Sequence, residues 1–301
     1  MNKDLVTIFE LTDADVADLL VLAKDVKANP DAYRTRLAGQ TLAMIFEKSS
    51  TRTRVSFEVG MNQLGGTGLF LSSRDIQLGR GEPLSDTAQV LSRYVDGIMA
   101  RTFSHQAVVD LARFGTVPVI NGLTDFNHPC QALADLQTIQ ERFGDLSGRK
   151  LAYVGDGNNV AHSLMMACAR TGMTFACASP EGYTMDADYV AKARGLGATV
   201  TETTSPAEAV ADADVIYSDV WASMGQEAEQ KKREAAFAGF QVDQALMSKA
   251  KADAIFMHCL PAHRGEEVSA EVCDGPQSVI YDQAENRMHM QKAIMIRLMG
   301  R

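Results

Sequence analysis

Five short stretches gather side chains able to work on a small anionic substrate. Glu47-Lys-Ser-Ser-Thr-Arg-Thr-Arg54 follows the apolar run Thr41–Phe46. A strand turning into a helix there presents unpaired N–H groups and the positive end of the helix dipole. Ser50, Thr51 and Thr53 add hydroxyls, and the planar fork of Arg52 suits phosphate. Together they make a phosphate cradle. It is not a Walker loop, whose Gly-rich spacing and Gly-Lys-Ser/Thr ending are absent. The same residues also read as an N-cap ahead of a solvated basic turn.

His128-Pro-Cys-Gln131 follows the turn-rich run Asn121–Asn127. Pro129 suits a first helical turn, which puts His128 and Gln131 on one side of a helix start, able to donate to an oxygen. A capping histidine is the alternative. Gly155-Asp-Gly-Asn-Asn-Val160 opens like a dinucleotide fingerprint, but Val160 stands at the third glycine. The acidic ribose partner is also missing, because Thr174–Ala178 leads into Ser179-Pro180. Asn158 and Asn159 offer amides there, unless the stretch is a tight turn with an N-cap.

Asp219-Val-Trp-Ala-Ser-Met-Gly225 places a carboxylate, a hydroxyl and a flexible glycine after Val215–Tyr217. Asp219 could pair with a substrate ammonium, and Ser223–Gly225 could form a closing lid. The fifth stretch is His258-Cys-Leu-Pro-Ala-His-Arg-Gly-Glu-Glu267. His258, Cys259 and His263 invite zinc, yet no Cys-x-x-Cys pair exists, and His258 and Cys259 point oppositely if extended. No metal and no cofactor are expected. A nucleophilic Cys259 would need a base that the sequence does not fix. Arg287, in Asn286-Arg-Met-His289, could add a cation.

These stretches need strand ends to hold them. Strands are expected at Thr41–Phe46, Thr67–Leu71, Gly97–Ala100 and Pro118–Ile120, with helical spacing over Arg54–Leu64, Leu84–Tyr94 and Gln106–Phe114. A second series runs Lys150–Val154, Thr174–Ala178, Ala198–Thr201, Val215–Tyr217 and Ala254–Met257, with a weaker strand at Val279–Tyr281. Strands separated by helix-length segments imply βαβ units, an α/β class and parallel sheets with ligands at the C-terminal strand ends. Pro129–Arg142 reads as a helix bridging two halves, and a final helix from about Ala284 to Met299 could return to the first.

Bulk properties narrow the partners. The 301 residues hold 29 Lys+Arg against 38 Asp+Glu, a net charge of −9. That balance argues against nucleic acid and anionic membrane surfaces. No apolar run approaches the ~18–20 residues of a membrane helix. The five cysteines (Cys130, Cys168, Cys177, Cys259 and Cys273) are odd in number and scattered, and Met1–Leu11 has no signal-type apolar core. A reducing, cytoplasmic setting is expected.

In order and spacing the five stretches resemble the aspartate/ornithine transcarbamoylase family. Ser50-Thr-Arg-Thr-Arg54 resembles its carbamoyl-phosphate signature, and His128-Pro-Cys-Gln131 its second signature. His258-Cys-Leu-Pro261, and Asp219 with Ser223-Met-Gly225, are similar to the ornithine branch. The resemblance implies two doubly wound parallel-sheet domains of similar size. One, residues 1–140 with the returning helix 284–301, would bind carbamoyl phosphate; the other, 141–283, would bind ornithine. It further implies a homotrimer, with sites at subunit interfaces, that converts carbamoyl phosphate and L-ornithine to L-citrulline and phosphate without a cofactor.

By that match Ser50, Thr51, Arg52, Thr53 and Arg101 hold the phosphate, and Gln77 reaches a neighbouring subunit's site. His128, Gln131 and Arg287 address the carbamoyl group, whose amide meets the carbonyls of Cys259 and Leu260. Asn159, Asp219, Ser223 and Met224 take the amino-acid end of ornithine. Arg101, His128, Cys259 and Arg287 would be catalytic. Arg52, Arg54, Arg101, His128 and Arg287 would converge on one dianion in the gap between the halves. A sister enzyme acting on putrescine or an N-acylated ornithine is the nearest rival, although Asp219 and Ser223–Gly225 favour a free α-amino acid. A nicotinamide dehydrogenase and a non-catalytic phosphometabolite sensor are the more distant ones.

Overall fold

The computed structural model describes residues 1–77, 81–222 and 227–300. The first series of elements is α1 (Asp13–Ala28), β1 (Thr41–Phe46), α2 (Thr51–Gln63), β2 (Thr67–Ser72), α3 (Leu84–Leu91), β3 (Gly97–Arg101), α4 (His105–Phe114), β4 (Val119–Leu123) and α5 (Pro129–Phe143). The second begins with β5 (Lys150–Val154), α6 (Asn159–Thr171), β6 (Thr174–Ala178), α7 (Ala187–Gly195), β7 (Val200–Thr203), α8 (Pro206–Val210) and β8 (Val215–Ser218). It ends with α9 (Gln230–Ala236), α10 (Gln244–Met247), β9 (Ile255–His258), α11 (Ala270–Cys273) and α12 (Ile280–Met299). The chain divides into two compact units, Met1–Gln137 with Glu285–Arg301, and Thr138–Ala284.

Unit 1 holds a parallel sheet ordered β2-β1-β3-β4, and unit 2 one ordered β7-β6-β5-β8-β9, also parallel. Parallel strands covered on both faces read as continuous apolar runs. Every residue of β3, β4 and β8 is buried, whereas the edge strands β2 and β7 are half-exposed. Ala43, Ile45, Ile98, Val108, Leu111 and Val119 form one core in unit 1. Ala152, Val154, Ile216, Phe237 and Phe256 anchor another in unit 2. The end of α12 packs on unit 1: Lys292 Nζ donates to Gln63 Oε1 (2.9 Å), and Gln40 Nε2 to the Met299 carbonyl (3.1 Å). Gly60 permits that approach, since a Cβ there would lie 3.1 Å from Met295 Cε.

Strand order locates the ligand sites. In an open parallel sheet, ligands gather beyond the C-terminal strand ends where the winding reverses. That point falls between β1 and β3 in unit 1, and between β5 and β8 in unit 2. The loops there are the Glu47–Ser50 and Arg101 segments, and the Gly155–Asn158 and Asp219 segments.

Three expectations need correction. Val279–Tyr281 is not a strand: a single bridge joins Ser278 to Phe256, and α12 starts at Ile280. Arg287 therefore lies two turns inside the last helix rather than at its start. Asn121, Gly122 and Leu123 continue β4 instead of forming a turn, because Asn121 is drawn into the ladder by Leu5 and its amide by the Val6 carbonyl (2.9 Å). β7 begins two residues later than the expected Ala198 start. Among the described residues, no helix is long and apolar enough to cross a membrane.

Candidate active site

Ser50 caps α2: its Oγ accepts from the Thr53 N–H at 3.1 Å. The remaining first-turn N–H groups and the helix dipole are thereby left facing the β1 strand end. Thr53 is buried, and two guanidinium groups meet at its hydroxyl. Arg101 Nη1, at the end of β3, donates to Oγ1 at 3.4 Å, and Arg287 Nη2, from α12, at 3.0 Å. Arg101, Arg287 and His128 are all buried. Burial, then the charges of Arg287 and Arg101, push the His128 imidazole well below its usual pKa, so it is neutral at pH 7. Gln131 fixes its amide through Nε2 to Asp135 Oδ1 at 2.8 Å.

The loops that aim these groups are tied by residues that motif reading passed over. Glu47 N–H donates to the Arg101 carbonyl (2.9 Å), and Glu47 Oε2 accepts from Phe103 N–H (3.0 Å). Buried Lys48 pairs with Asp125 and lies 4.5 Å from the Phe103 ring. Thr124 Oγ1 accepts from Asn127 N–H (3.1 Å), shaping the turn that delivers His128. A cavity of about 280 Å³ opens beside the α2 N-terminus, lined by Ser49, Ser50, Thr51, Arg54, Ser73 and Arg74 among others. Arg54, expected to converge with Arg52, Arg101, His128 and Arg287 on one dianion, lies on the wall of this cavity. Its guanidinium lies 3.8 Å from the Phe70 ring and 3.4 Å from Glu58. Arg52 is half-buried, and Thr51 and Gln77 are exposed.

In unit 2 the polar groups form a connected set. Asn158 caps α6, its Oδ1 accepting from Val160 N–H (2.9 Å) and Ala161 N–H (3.2 Å). Its Nδ2 donates to Asp219 Oδ2 at 2.9 Å. Asp219 Oδ1 accepts from Val220 N–H (2.8 Å) and from the Cys259 thiol (3.1 Å). Tyr153 OH donates to Asn158 Oδ1 (3.2 Å), and burial followed by the Asp219 charge keeps the phenol protonated. Gly157 lets this turn pass the next loop, since a Cβ would sit 2.3 Å from the Met185 nitrogen.

Beside Asn159, which the resemblance assigns to the amino-acid end, Asn158 touches Asp219. Asn159 is the first residue of α6, its carbonyl taken by Ser163 Oγ at 2.9 Å. Capping chemistry was the signal for Asn158: the Ncap side chain faces the strand end, while the next residue enters the helix. Ser223 and Met224, with Gly225, lie outside the described residues.

After β9, Leu260 takes a left-handed φ of 60°, costing roughly 1–2 kcal/mol for a residue with a Cβ. Its N–H donates to His258 Nδ1 at 2.9 Å, while His258 Nε2 faces Glu267 Oε1 at 3.2 Å. The donor atoms of Asp219, His258 and Cys259 lie within 4.8 Å of one another, as do those of His263, Glu266 and Glu267. A cation in the first group would have to displace both the Leu260 N–H and the thiol hydrogen bond.

Comparison with known proteins agrees with this chemistry. The family profile described as aspartate/ornithine carbamoyltransferase, carbamoyl-P binding domain, matches residues 3–141. Its companion, the Asp/Orn binding domain, matches residues 147–298. The chain is 60% identical to an ornithine carbamoyltransferase of Thermococcus kodakarensis, over 99% of this chain and 97% of that one. It is 59% identical to that of Bacillus subtilis, over 98% and 93%. The solved ornithine carbamoyltransferase of Pyrococcus furiosus superposes with a TM-score of 0.94 at 54% identity, covering 98% of this chain and 96% of that one. With both domain profiles matched and relatives this close over nearly the full length, the chain belongs to the aspartate/ornithine carbamoyltransferase family.

Proposed function

We propose that the chain transfers the carbamoyl group of carbamoyl phosphate to the δ-amine of L-ornithine, releasing L-citrulline and phosphate. The convergence of Arg101 and Arg287 on Thr53, beside the α2 N-terminus and a neutral His128, carries this reading. Buried cations repel one another, and a phosphorylated substrate would offset that repulsion. Asp219, one buried carboxylate among neutral hydrogen-bonding groups, suits the α-ammonium of an amino acid. A diamine such as putrescine has no α-carboxylate, and an N-acylated ornithine has no α-ammonium.

Residues 1–140 with 284–301 bind carbamoyl phosphate, and residues 141–283 bind ornithine. Ser50, Thr51, Arg52, Thr53 and Arg101 hold the phosphate. His128, Gln131 and Arg287 address the carbamoyl group, and Cys259 and Leu260 supply carbonyls to its amide. Asn159, with Asn158, and Asp219, Ser223 and Met224 hold ornithine. The working assembly is a cytoplasmic homotrimer serving arginine metabolism, with Gln77 reaching a neighbouring subunit.

A δ-amine with a lysine-like pKa of ~10.4 costs about 4 kcal/mol to present neutral at pH 7. Desolvation lowers that cost. The neutral amine attacks the carbamoyl carbon. Neutral His128 donates an N–H to the carbonyl oxygen, while Arg52 and Arg101 stabilise charge on the leaving phosphate. The phosphate takes the amine's proton, so no protein base is required. Cys259 tunes the amine through its hydrogen bond to Asp219 and forms no carbamoyl thioester. A carbamoyl-Cys259 adduct trapped by rapid quench and mass spectrometry would contradict that role. The decisive test is citrulline formation with ornithine, putrescine and N-acetylornithine as rival acceptors. Ornithine should exceed both by at least ~10²-fold in kcat/KM, since a site built for a charged group rejects analogues that lack it. Equal or better use of either rival refutes the assignment.

A further inference from the structure

His258 and Glu267 are fully buried in unit 2, and neither has a part in the chemistry above. The Leu260 N–H can only donate, so His258 Nδ1 is the acceptor and the ring proton sits on Nε2. That proton points at Glu267 Oε1, which also accepts the His263 backbone N–H at 2.6 Å. The His258 backbone N–H donates to Gln283 Oε1 (2.9 Å), and Gln283 Nε2 donates to Tyr217 OH (3.0 Å). Tyr217 stacks on Tyr153, their centroids 5.9 Å apart, and Tyr153 returns to Asn158 and Asp219. Cys259, held between His258 and Leu260, donates to the same Asp219. The strand ends of β5, β8 and β9 are thus linked through one set of buried polar and ring contacts.

We propose that Glu267 is a positioning residue: it fixes His258 as the Nε2–H tautomer, and that tautomer alone leaves Nδ1 free to hold the Leu260 N–H and so aim Cys259 and the 259–260 carbonyls. With the proton on Nδ1 instead, two N–H groups would face each other at 2.9 Å and the left-handed turn at Leu260 would lose its restraint. Among the described residues, Glu267 faces the ring directly, His263 Nδ1 lies 3.9 Å from the other Glu267 oxygen and 3.5 Å from Glu266 Oε2, and Asp219 and Cys259 lie close to His258 on the β8 side.

The inference rests on the proposed role of the Cys259–Leu260 segment, so the test has one arm free of activity. Nitrogen-15 NMR of histidine-labelled protein should show His258 protonated at Nε2 in the wild type and in Glu267→Gln, whose amide oxygen still accepts, and a tautomer mixture in Glu267→Met. In citrulline assays Glu267→Met should lose at least about tenfold in kcat, since small misplacements of reacting groups are costly. Its KM for carbamoyl phosphate should stay within about twofold, and Glu267→Gln should regain most of the rate. Wild-type protonation at Nδ1 overturns the proposal whether or not Glu267→Met folds. So does a folded Glu267→Met with normal kcat, or one that loses kcat while His258 keeps Nε2–H. Absence of citrulline formation by the wild type would instead refute the function and leave the tautomer assignment standing on the NMR.

Discussion

The two units place their functional groups at equivalent points of their sheets yet stabilise them by different physics. At the β1–β3 reversal, positive groups crowd together: Arg101 and Arg287 share Thr53, and their charges help to keep His128 neutral. At the β5–β8 reversal the Asp219 carboxylate is surrounded by hydrogen-bond donors from Asn158, Val220 and Cys259. The first arrangement concentrates positive charge and so suits an anion. The second is already satisfied within the protein, so an incoming ammonium must compete with existing partners. Equal winding therefore sets where a site lies, and side-chain charge sets what enters it.

The largest expected effect separates the two sites by charge. Arg101→Ala should lower turnover by ~10²–10³-fold or more, the range for removing one preorganised donor to developing negative charge. Near-normal rates would break the contrast. Asp219→Asn keeps the shape but removes the charge. Its KM for ornithine should rise roughly 10–100-fold, matching about 1.5–3 kcal/mol for a charged hydrogen bond.

A smaller effect distinguishes the sites by pH. His128 is held below its ordinary 6.5 in the folded state. The unfolded chain then binds a proton that the folded one refuses. Stability is complete above pH 6.5 and falls as pH drops through it, by about 1.4 kcal/mol per pH unit until the folded pKa is reached. Thermal melts from pH 7 to 5 should therefore fall less steeply in His128→Gln than in the wild type. The smallest effect is Ser50→Ala, which removes the α2 cap and should cost about 1 kcal/mol by chemical denaturation. A change under a few tenths would mean that water replaces the Ser50 hydroxyl without penalty.

Much of this was legible before any coordinates. Alternating apolar runs marked eight of the nine strands to within about two residues, because buried parallel strands leave a dense aliphatic signature. β4 is the exception, its expected end at Ile120 falling three residues short of Leu123, while the half-exposed edge β7 is expected two residues too early. Val279–Tyr281 misled because a short apolar run has no period long enough to separate strand from helix start. Strand order left no trace in the sequence, so the shared position of the two reversals emerged only from the sheets. The contact of Asn158 with Asp219 follows from its place as the cap of α6. Glu47, Lys48 and Glu267 lie inside the quoted stretches yet, like Gln283 outside them, carry no role that residue type and spacing reveal, since each works through a partner that only the fold brings to it. Lys48 meets Asp125, and Gln283 meets Tyr217.

The contrast between the sites is tested most directly by calorimetric titration of carbamoyl phosphate into the wild type, Arg101→Ala and Asp219→Asn. The charge-crowded site should lose at least ~10-fold in affinity on Arg101→Ala, while Asp219→Asn stays within about twofold of the wild type, each 1.4 kcal/mol being a factor of ten. Equal losses in both variants, or none in Arg101→Ala, would contradict the division of labour between the two units.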